Sequence, residues 1–308
     1  MDFRVLVSDP LAEDAVSTMT AAGLTVVVNT DLSPEQLVAE IPAYDALVVR
    51  SATKVRANVL DAAAKLKLIV RAGVGTDNID VDHAVGNGIE VRNTPAASSN
   101  SVAELALGHM LALARHIGRG TASVRSGRWE KKALQGVEIS GKRLGIVGIG
   151  RIGRLLAEKA SALGMEVIAY DKFVSDSPLP DVVRMVPFEE LLREADFVSV
   201  HVPYDPEVGP VLGAAELAAM KPGAYVINCA RGGVVDEAAV AEALASGTLA
   251  GAAFDVFAAE PPAADLPLLQ QACASLTPHI GASTREAQQR VGDEAAQIVI
   301  DFARRSEA

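Results

Sequence analysis

Residues 143–171, RLGIVGIGRIGRLLAEKASALGMEVIAYD, carry the strongest structural signal in the chain. It opens on a short apolar run, passes through Gly148, Gly150 and Gly153, continues with helical composition and closes on a second apolar run that ends in Asp171. The three glycines have separate roles in a strand-turn-helix unit. The first permits a tight turn, the second lets the backbone approach a pyrophosphate, and the third lets the helix pack closely on the strand. The helix that starts there directs its unpaired N–H groups at the phosphates. Asp171, 18 residues beyond Gly153, can accept hydrogen bonds from a ribose diol and would repel a 2′-phosphate, which favours NAD over NADP. Lys172 beside it weakens that preference, because a cation tolerates the extra phosphate.

Outward from this unit, the runs FVSVHVP, AYVINCA, GAAFDVF and ASLTPHI follow at intervals that hold helices, so this half has six strands. Upstream lie VLVSD (5–9), TVVVN (25–29), ALVVR (46–50), LKLIVRA (66–72) and IEVRN (89–93), which give five more. These runs are apolar on successive residues rather than on alternate ones, which implies parallel strands covered by helices on both faces. The fold class is therefore α/β with two doubly wound parallel-sheet domains: a Rossmann domain for NAD and a flavodoxin-like domain for the substrate. A long apolar helix is expected over Ser101–Arg125. A closing helix is expected over Thr284–Arg305, where Ala287, Val291, Ala295, Ile298 and Phe302 recur at helical spacing. EPPAADLP (260–267) reads as a loop between the last two strands. Because the glycine motif stands in mid-chain, the NAD domain (98–281) is expected to be inserted into a substrate domain made of 1–97 and 282–308. The chain then crosses near Asn93–Ser101 and His279–Thr284, and a small ligand is expected in the cleft between the domains.

Composition narrows the function. The chain has 308 residues, 50% of them hydrophobic and 22% charged, with a formal charge of −11. That balance excludes a disordered chain, a general nucleic-acid binder and a binder of anionic membranes. The opening MDFRVLVSDP reads as a strand rather than a secretory signal, and the most apolar long stretch is interrupted by Glu104 and His109, short of the ~20 apolar residues that span a bilayer. Cys229 and Cys273 are too few for a disulfide framework or a zinc site. The expectation is a cytoplasmic protein with no metal and no nucleic-acid or membrane partner.

Catalytic candidates stand after late strands, where open parallel sheets bind ligands. Arg231, in NCARGGVVDE, can clamp a carboxylate through two parallel hydrogen bonds. Glu260 follows GAAFDVFAAE, and His279 sits in LTPHIGAST. Histidine is the side chain whose unperturbed pKa lies near neutrality, and a neighbouring carboxylate would orient it and favour its protonated form, as a proton carrier requires. Each residue also has a plain structural reading: a surface arginine in a turn, an acidic loop residue before prolines, a histidine closing a strand. Their convergence on one sheet edge favours the catalytic one. His83, His109, His116 and His201 read as surface or packed residues, with His201 the nearest competitor because VHVP also ends a strand.

Across VVRSATKV, VRAGVGTDNID, NTPAASSNSVAE, GIVGIGRIG, NCARGGVVDE, AAFDVFAAEPP and PHIGASTREAQ, nearly the whole chain resembles the D-2-hydroxyacid dehydrogenase family. The resemblance implies that Arg231 binds the substrate carboxylate and hydroxyl oxygen, and that His279 is the acid/base, paired with Glu260. It places Arg151 and Ile152 at the dinucleotide phosphates, Asp171 at the adenine ribose, and Cys229, Ala230 and Asp255 at the nicotinamide end, with Gly281 and Ala282 also against the cofactor. It gives the backbone of Val74 and Gly75 to the substrate carboxylate, with valine where family members can carry a threonine that touches the cofactor. It further implies a homodimer, with the helix from Ser101 and the SGRWEKK segment at the contact.

Local charge bears on the substrate. Residues 50–71 carry Arg50, Lys54, Arg56, Lys65, Lys67 and Arg71 against Asp61 alone, and residues 115–132 carry six cations against Glu130. Arg56, Lys65 and Lys67 read as solvated helix faces. Arg50 and Arg71 each end a buried strand, and the resemblance makes them contacts to a substrate phosphate. Lys131, where the family can carry an arginine, would reach the neighbouring subunit's site as a point charge rather than a fork. The expected reaction is NAD-dependent oxidation of 3-phospho-D-glycerate, the first step of the phosphorylated route to L-serine. The alternatives are a glyoxylate, hydroxypyruvate or other D-2-hydroxyacid reductase, and, in another class, an NAD-sensing corepressor-like binding protein. Many relatives carry a C-terminal serine-binding regulatory domain. The sequence ends at Ala308, directly after the closing helix, so serine feedback through such a domain is not expected of this chain.

Overall fold

The computed structural model describes residues 3–307, which divide into two compact units. The first takes in the residues up to Ser98 and those from Ala282 onward. Its five parallel strands are β1 (Arg4–Val7), β2 (Thr25–Val28), β3 (Ala46–Val49), β4 (Leu68–Arg71) and β5 (Glu90–Asn93), in the order β2-β1-β3-β4-β5. That is the flavodoxin-type doubly wound order. Both faces are buried, as the unbroken apolar runs require. Val5, Val7, Val48 and Val70 pack with Ala15 and Met19 of α1 (Glu13–Ala21) and with Val291, Ala295 and Val299 of the closing helix Arg285–Glu307. Leu6, Leu47, Val49 and Ile69 face Leu37, Val59 and Leu60 on the other side. Each large aliphatic side chain so enclosed contributes about 2 kcal/mol of hydrophobic stabilisation.

The second unit, Ser99–Gly281, holds seven strands. They are β6 (Arg143–Val147), β7 (Glu166–Tyr170), β8 (Val183–Met185), β9 (Phe197–Val200), β10 (Ala224–Asn228), β11 (Leu249–Phe254) and β12 (Ala274–Leu276), all parallel, in the order β12-β11-β10-β9-β6-β7-β8. From β6 the chain winds outward both ways, so the switch point lies between β6 and β9. One face packs under Ala103, Ala106 and Met110 of α5 (Ser99–Ala114) and Leu156, Ala157 and Ala160 of α7 (Arg151–Ala162), against Leu144, Ile146, Phe197 and Ile227. The opposite face holds Val147, Val198, Val200, Val226 and Phe254 against Leu191, Leu217, Val240 and Leu244.

Two features of this unit differ from the sequence reading. A seventh strand, the three-residue β8, completes the sheet edge. VRM is too short to stand out as a strand, and its middle residue, Arg184, is exposed and paired with Glu190 at 2.7 Å. The long helix expected over Ser101–Arg125 is two helices, α5 and α6 (Ile117–Arg125). They part where His116 adopts the left-handed conformation (φ 52°) and its Nε2 lies 3.2 Å from Gln135 O. A left-handed residue interrupts the i→i−4 ladder, and with no proline there the composition concealed the break. Among the described residues no helix is long and apolar enough to cross a membrane.

Candidate active site

The turn after β6 has the form the glycine motif requires. Gly148 has φ 96°, and a Cβ built on it would stand 2.6 Å from His201 O, so both conformation and space demand glycine. Gly153 lies inside α7, where a Cβ would fall 2.3 Å from Gly148 O, and its absence lets the helix sit close to the turn. Gly150 caps α7, and a Cβ there would project into open space. The backbone is therefore bare where a pyrophosphate would approach the helix N-terminus, and the cradle fits a dinucleotide. Arg151 and Ile152 form the first turn of α7, Arg151 exposed and Ile152 half-buried. Asp171 follows β7 and ties the turn together, accepting from Ile149 N at 3.0 Å through Oδ2 and from Phe173 N at 2.9 Å through Oδ1.

Arg231, Glu260 and His279 lie on loops joined by one run of hydrogen bonds. Buried Asn228 ends β10. Its Oδ1 accepts Ala230 N–H at 3.1 Å and its Nδ2 donates to Arg231 O at 3.0 Å, so it shapes the turn that carries Arg231. Asn228 O accepts Asp255 N–H at 3.0 Å, and Asp255 O accepts His279 N–H at 2.7 Å. The buried Asp255 carboxylate accepts from Thr277 Oγ1 at 2.6 Å, Ile280 N at 2.8 Å and Gly281 N at 2.8 Å. Its visible role is to fold the loop that presents His279. Asn228 and Thr277 escaped the sequence reading. A buried amide ending a strand in NCARGG was the available signal for the first.

His279 is held in the left-handed region at φ 53°, and its Nδ1 lies 2.7 Å from Glu260 Oε2. Glu260 Oε1 accepts Phe257 N–H at 3.1 Å, which fixes the carboxylate. With Nδ1 engaged, Nε2 is the nitrogen available to a ligand. Side-chain exposures of 48% for His279 and 38% for Glu260 leave the pair open to an incoming molecule. Beside it opens a cavity of about 440 Å³, lined mainly by apolar side chains such as Phe257, Pro261, Leu269 and Leu276. The rival His201 is of a different kind. Its Nε2 lies 2.9 Å from Ser199 Oγ, its Nδ1 is buried without a hydrogen-bond partner, and desolvation holds its pKa down to about 4. It is a neutral packed histidine at neutral pH. Burial likewise lowers the pKa of His109, whose ring nitrogens meet Ser275 and Thr277, and raises that of the Cys229 thiol.

In the first unit, Arg50 follows β3 and Arg71 ends β4, at the same edge of the sheet. Arg50 donates its backbone N–H to Asp9 Oδ2 and Nη1 to Pro10 O. The Arg71 guanidinium folds over Gly73, where any Cβ would overlap Nη1. Val74 O accepts from Asn93 Nδ2 at 2.5 Å, and Val74 and Gly75 are half-buried. Ala282 O accepts from Gln288 Nε2 at 2.7 Å. In the second unit Lys131 is exposed at the start of a short 3-10 helix, Lys131–Leu134.

Residues 107–281 match the family model described as D-isomer specific 2-hydroxyacid dehydrogenase, NAD binding domain. The chain belongs to the D-isomer specific 2-hydroxyacid dehydrogenase family. Among its relatives, it is 46% identical over 302 residues to the D-3-phosphoglycerate dehydrogenase of Archaeoglobus fulgidus, an alignment that covers 98% of this chain and 57% of that protein. The chain thus spans little more than half of that relative's length. It is 47% identical over 299 residues to the hydroxypyruvate reductase of Thermotoga maritima, covering 96% of this chain and 97% of the reductase. Among solved structures, the TT0316 protein of Thermus thermophilus superposes with a TM-score of 0.89 at 36% identity, over 97% of each chain.

Proposed function

We propose that this protein oxidises 3-phospho-D-glycerate to 3-phosphohydroxypyruvate with NAD, the first step of the phosphorylated route to L-serine. The observation that carries the chemistry is the His279 Nδ1 to Glu260 Oε2 contact of 2.7 Å, on loops tied to the turn of Arg231. His279 Nε2 takes the C2 hydroxyl proton, and Glu260 steadies the imidazolium that forms. Arg231 holds the carboxylate and the developing carbonyl oxygen through its planar fork. Bound NAD supplies the hydride acceptor at its nicotinamide. The cofactor contacts are Gly148, Gly150, Arg151, Ile152, Gly153, Asp171, Cys229, Ala230, Asp255, Gly281 and Ala282. In the reverse direction protonated His279 gives its proton to the ketone oxygen.

The first unit is the substrate-binding domain in this reading, with Arg50 and Arg71 assigned to the phosphate and the backbone of Val74 and Gly75 to the carboxylate. The second unit is the NAD-binding domain. The enzyme acts in the cytoplasm as a homodimer, and Lys131 serves the partner's site. The phosphoglycerate dehydrogenase relatives at 44–47% identity support this substrate. A second reading, hydroxypyruvate reduction, is supported by the 47% identity to a relative named hydroxypyruvate reductase.

Absorbance at 340 nm separates the readings. The protein is offered NAD with 3-phosphoglycerate, D-glycerate or D-lactate, and NADH with hydroxypyruvate or glyoxylate. The highest kcat/KM is expected with 3-phosphoglycerate. Turnover of the unphosphorylated acids alone would overturn the substrate assignment, and NAD binding without turnover of any acid would indicate a binding protein.

A further inference from the structure

Glu237 is the first residue of α10 (Glu237–Ala245), a helix whose N-terminus is already capped by Asp236 Oδ1, 3.0 Å from both Ala238 N and Ala239 N. An acidic residue in a first helical turn is ordinary, because it complements the helix dipole. What the dipole does not explain is where this side chain goes. Its Oε1 reaches away from the helix to accept Ala258 N–H at 2.6 Å. The preceding amide, Phe257 N–H, donates to Glu260 Oε1 at 3.1 Å, and Glu260 Oε2 meets His279. Two carboxylates thus grip two consecutive amides of the turn that leads into Glu260. The same peptide is pressed from a third side: a Cβ on Gly232 would fall 1.9 Å from Phe257 O and 2.6 Å from Ala258 N, so the turn directly after Arg231 rests on it.

We infer that Glu237 is a positioning residue for the acid/base pair: by holding the Ala258 amide it fixes the 257–260 turn, which sets Glu260 against His279 and supports the turn of Arg231. Burial raises the Glu237 pKa, opposed by the Ala258 hydrogen bond and assisted by the negative charges of Asp236 and Glu260. The fold therefore keeps a carboxylate where desolvation disfavours it, as expected if its placement is needed. Asp236 on its own turn and Glu260 across the loop are the charged groups that bear on it, with His279 beyond Glu260. The inference rests on the catalytic reading of Glu260 and His279.

The test is a double-mutant cycle on the full chain, using whichever acid the wild type oxidises fastest. Glu237→Ala is expected to lower kcat about tenfold, with KM for NAD nearly unchanged, because a displaced catalytic pair reacts more slowly. Glu237→Gln, whose carbonyl can still accept the Ala258 amide, is expected to recover kcat to within about threefold of wild type. In a Glu260→Ala background, Glu237→Ala should cost nothing further, since a residue that acts through another is not additive with it. Amide exchange at Ala258 provides a readout independent of catalysis: protection is lost in Glu237→Ala and kept in Glu237→Gln. Lost protection with undiminished kcat, or full additivity with Glu260→Ala, overturns the inference. A wild type inactive on every acid overturns the catalytic reading instead, and leaves the exchange result to decide whether Glu237 holds the turn.

Discussion

His279 Nδ1 lies 2.7 Å from Glu260 Oε2, and this contact decides which imidazole nitrogen faces a ligand. The carboxylate occupies one ring nitrogen and leaves Nε2 to exchange the substrate proton. Glu260→Gln keeps an acceptor at the same place but removes its charge, so the imidazolium formed during oxidation loses its partner. We expect kcat to fall by about 10- to 100-fold with KM for NAD unchanged, measured by steady-state kinetics. A fall in NAD affinity alone would place Glu260 in cofactor binding.

Arg231→Lys replaces a planar fork by a point charge. KM for the acid should rise and kcat should fall together, because one side chain serves both the carboxylate and the developing carbonyl oxygen. A rise in KM alone would confine Arg231 to ground-state binding.

Asp171 is already bonded to Ile149 N and Phe173 N, so Asp171→Ala removes two hydrogen bonds from the glycine turn as well as the charge that repels a 2′-phosphate. The ratio of kcat/KM for NADP over NAD should rise about tenfold or more, helped by Lys172, while activity with NAD falls. An unchanged ratio would remove Asp171 from cofactor selection.

Gly148→Ala would force a side chain into a left-handed turn and onto His201 O. We expect a loss of about 1–3 kcal/mol in unfolding free energy by urea titration, together with weaker NAD binding. Wild-type stability would contradict the close approach at this turn.

His201 gives a pH signature. In the folded state its pKa is held down to about 4, whereas in an unfolded chain it is near 6.5. Between these values the unfolded chain binds a proton that the folded one does not. Stability from this group is therefore complete above about pH 6.5 and is lost as pH falls towards 4. Urea midpoints at pH 7.5 and 5 should drop further for the wild type than for His201→Gln. Parallel drops would show that His201 titrates normally.

Much of this was legible in the chain because the signals were local. Period and run length gave both sheets, since strands buried on two faces cannot alternate, and the glycine spacing marked the turn before α7. The edge strand β8 was not legible, because three residues with an exposed arginine in the middle carry no pattern. The break at His116 was hidden because a left-handed residue other than glycine leaves no mark in composition. Within the site, Arg231, Glu260 and His279 were visible as reactive types after strands. Asp255 was expected only at the nicotinamide end and Glu237 not at all, because both act by gripping backbone amides on other loops, distant in sequence: Asp255 holds Gly281, and Glu237 holds Ala258. Asn228 instead shapes its own turn, through Ala230 N–H and Arg231 O.

If His279 is the proton carrier, His279→Ala should abolish most of the turnover and little else. Turnover of 3-phosphoglycerate is measured at 340 nm beside the NAD dissociation constant of the same preparation. We expect kcat to fall by about 100-fold or more, with NAD affinity nearly unchanged, because only proton transfer is lost. Turnover equal to wild type would contradict it and remove His279 from the reaction.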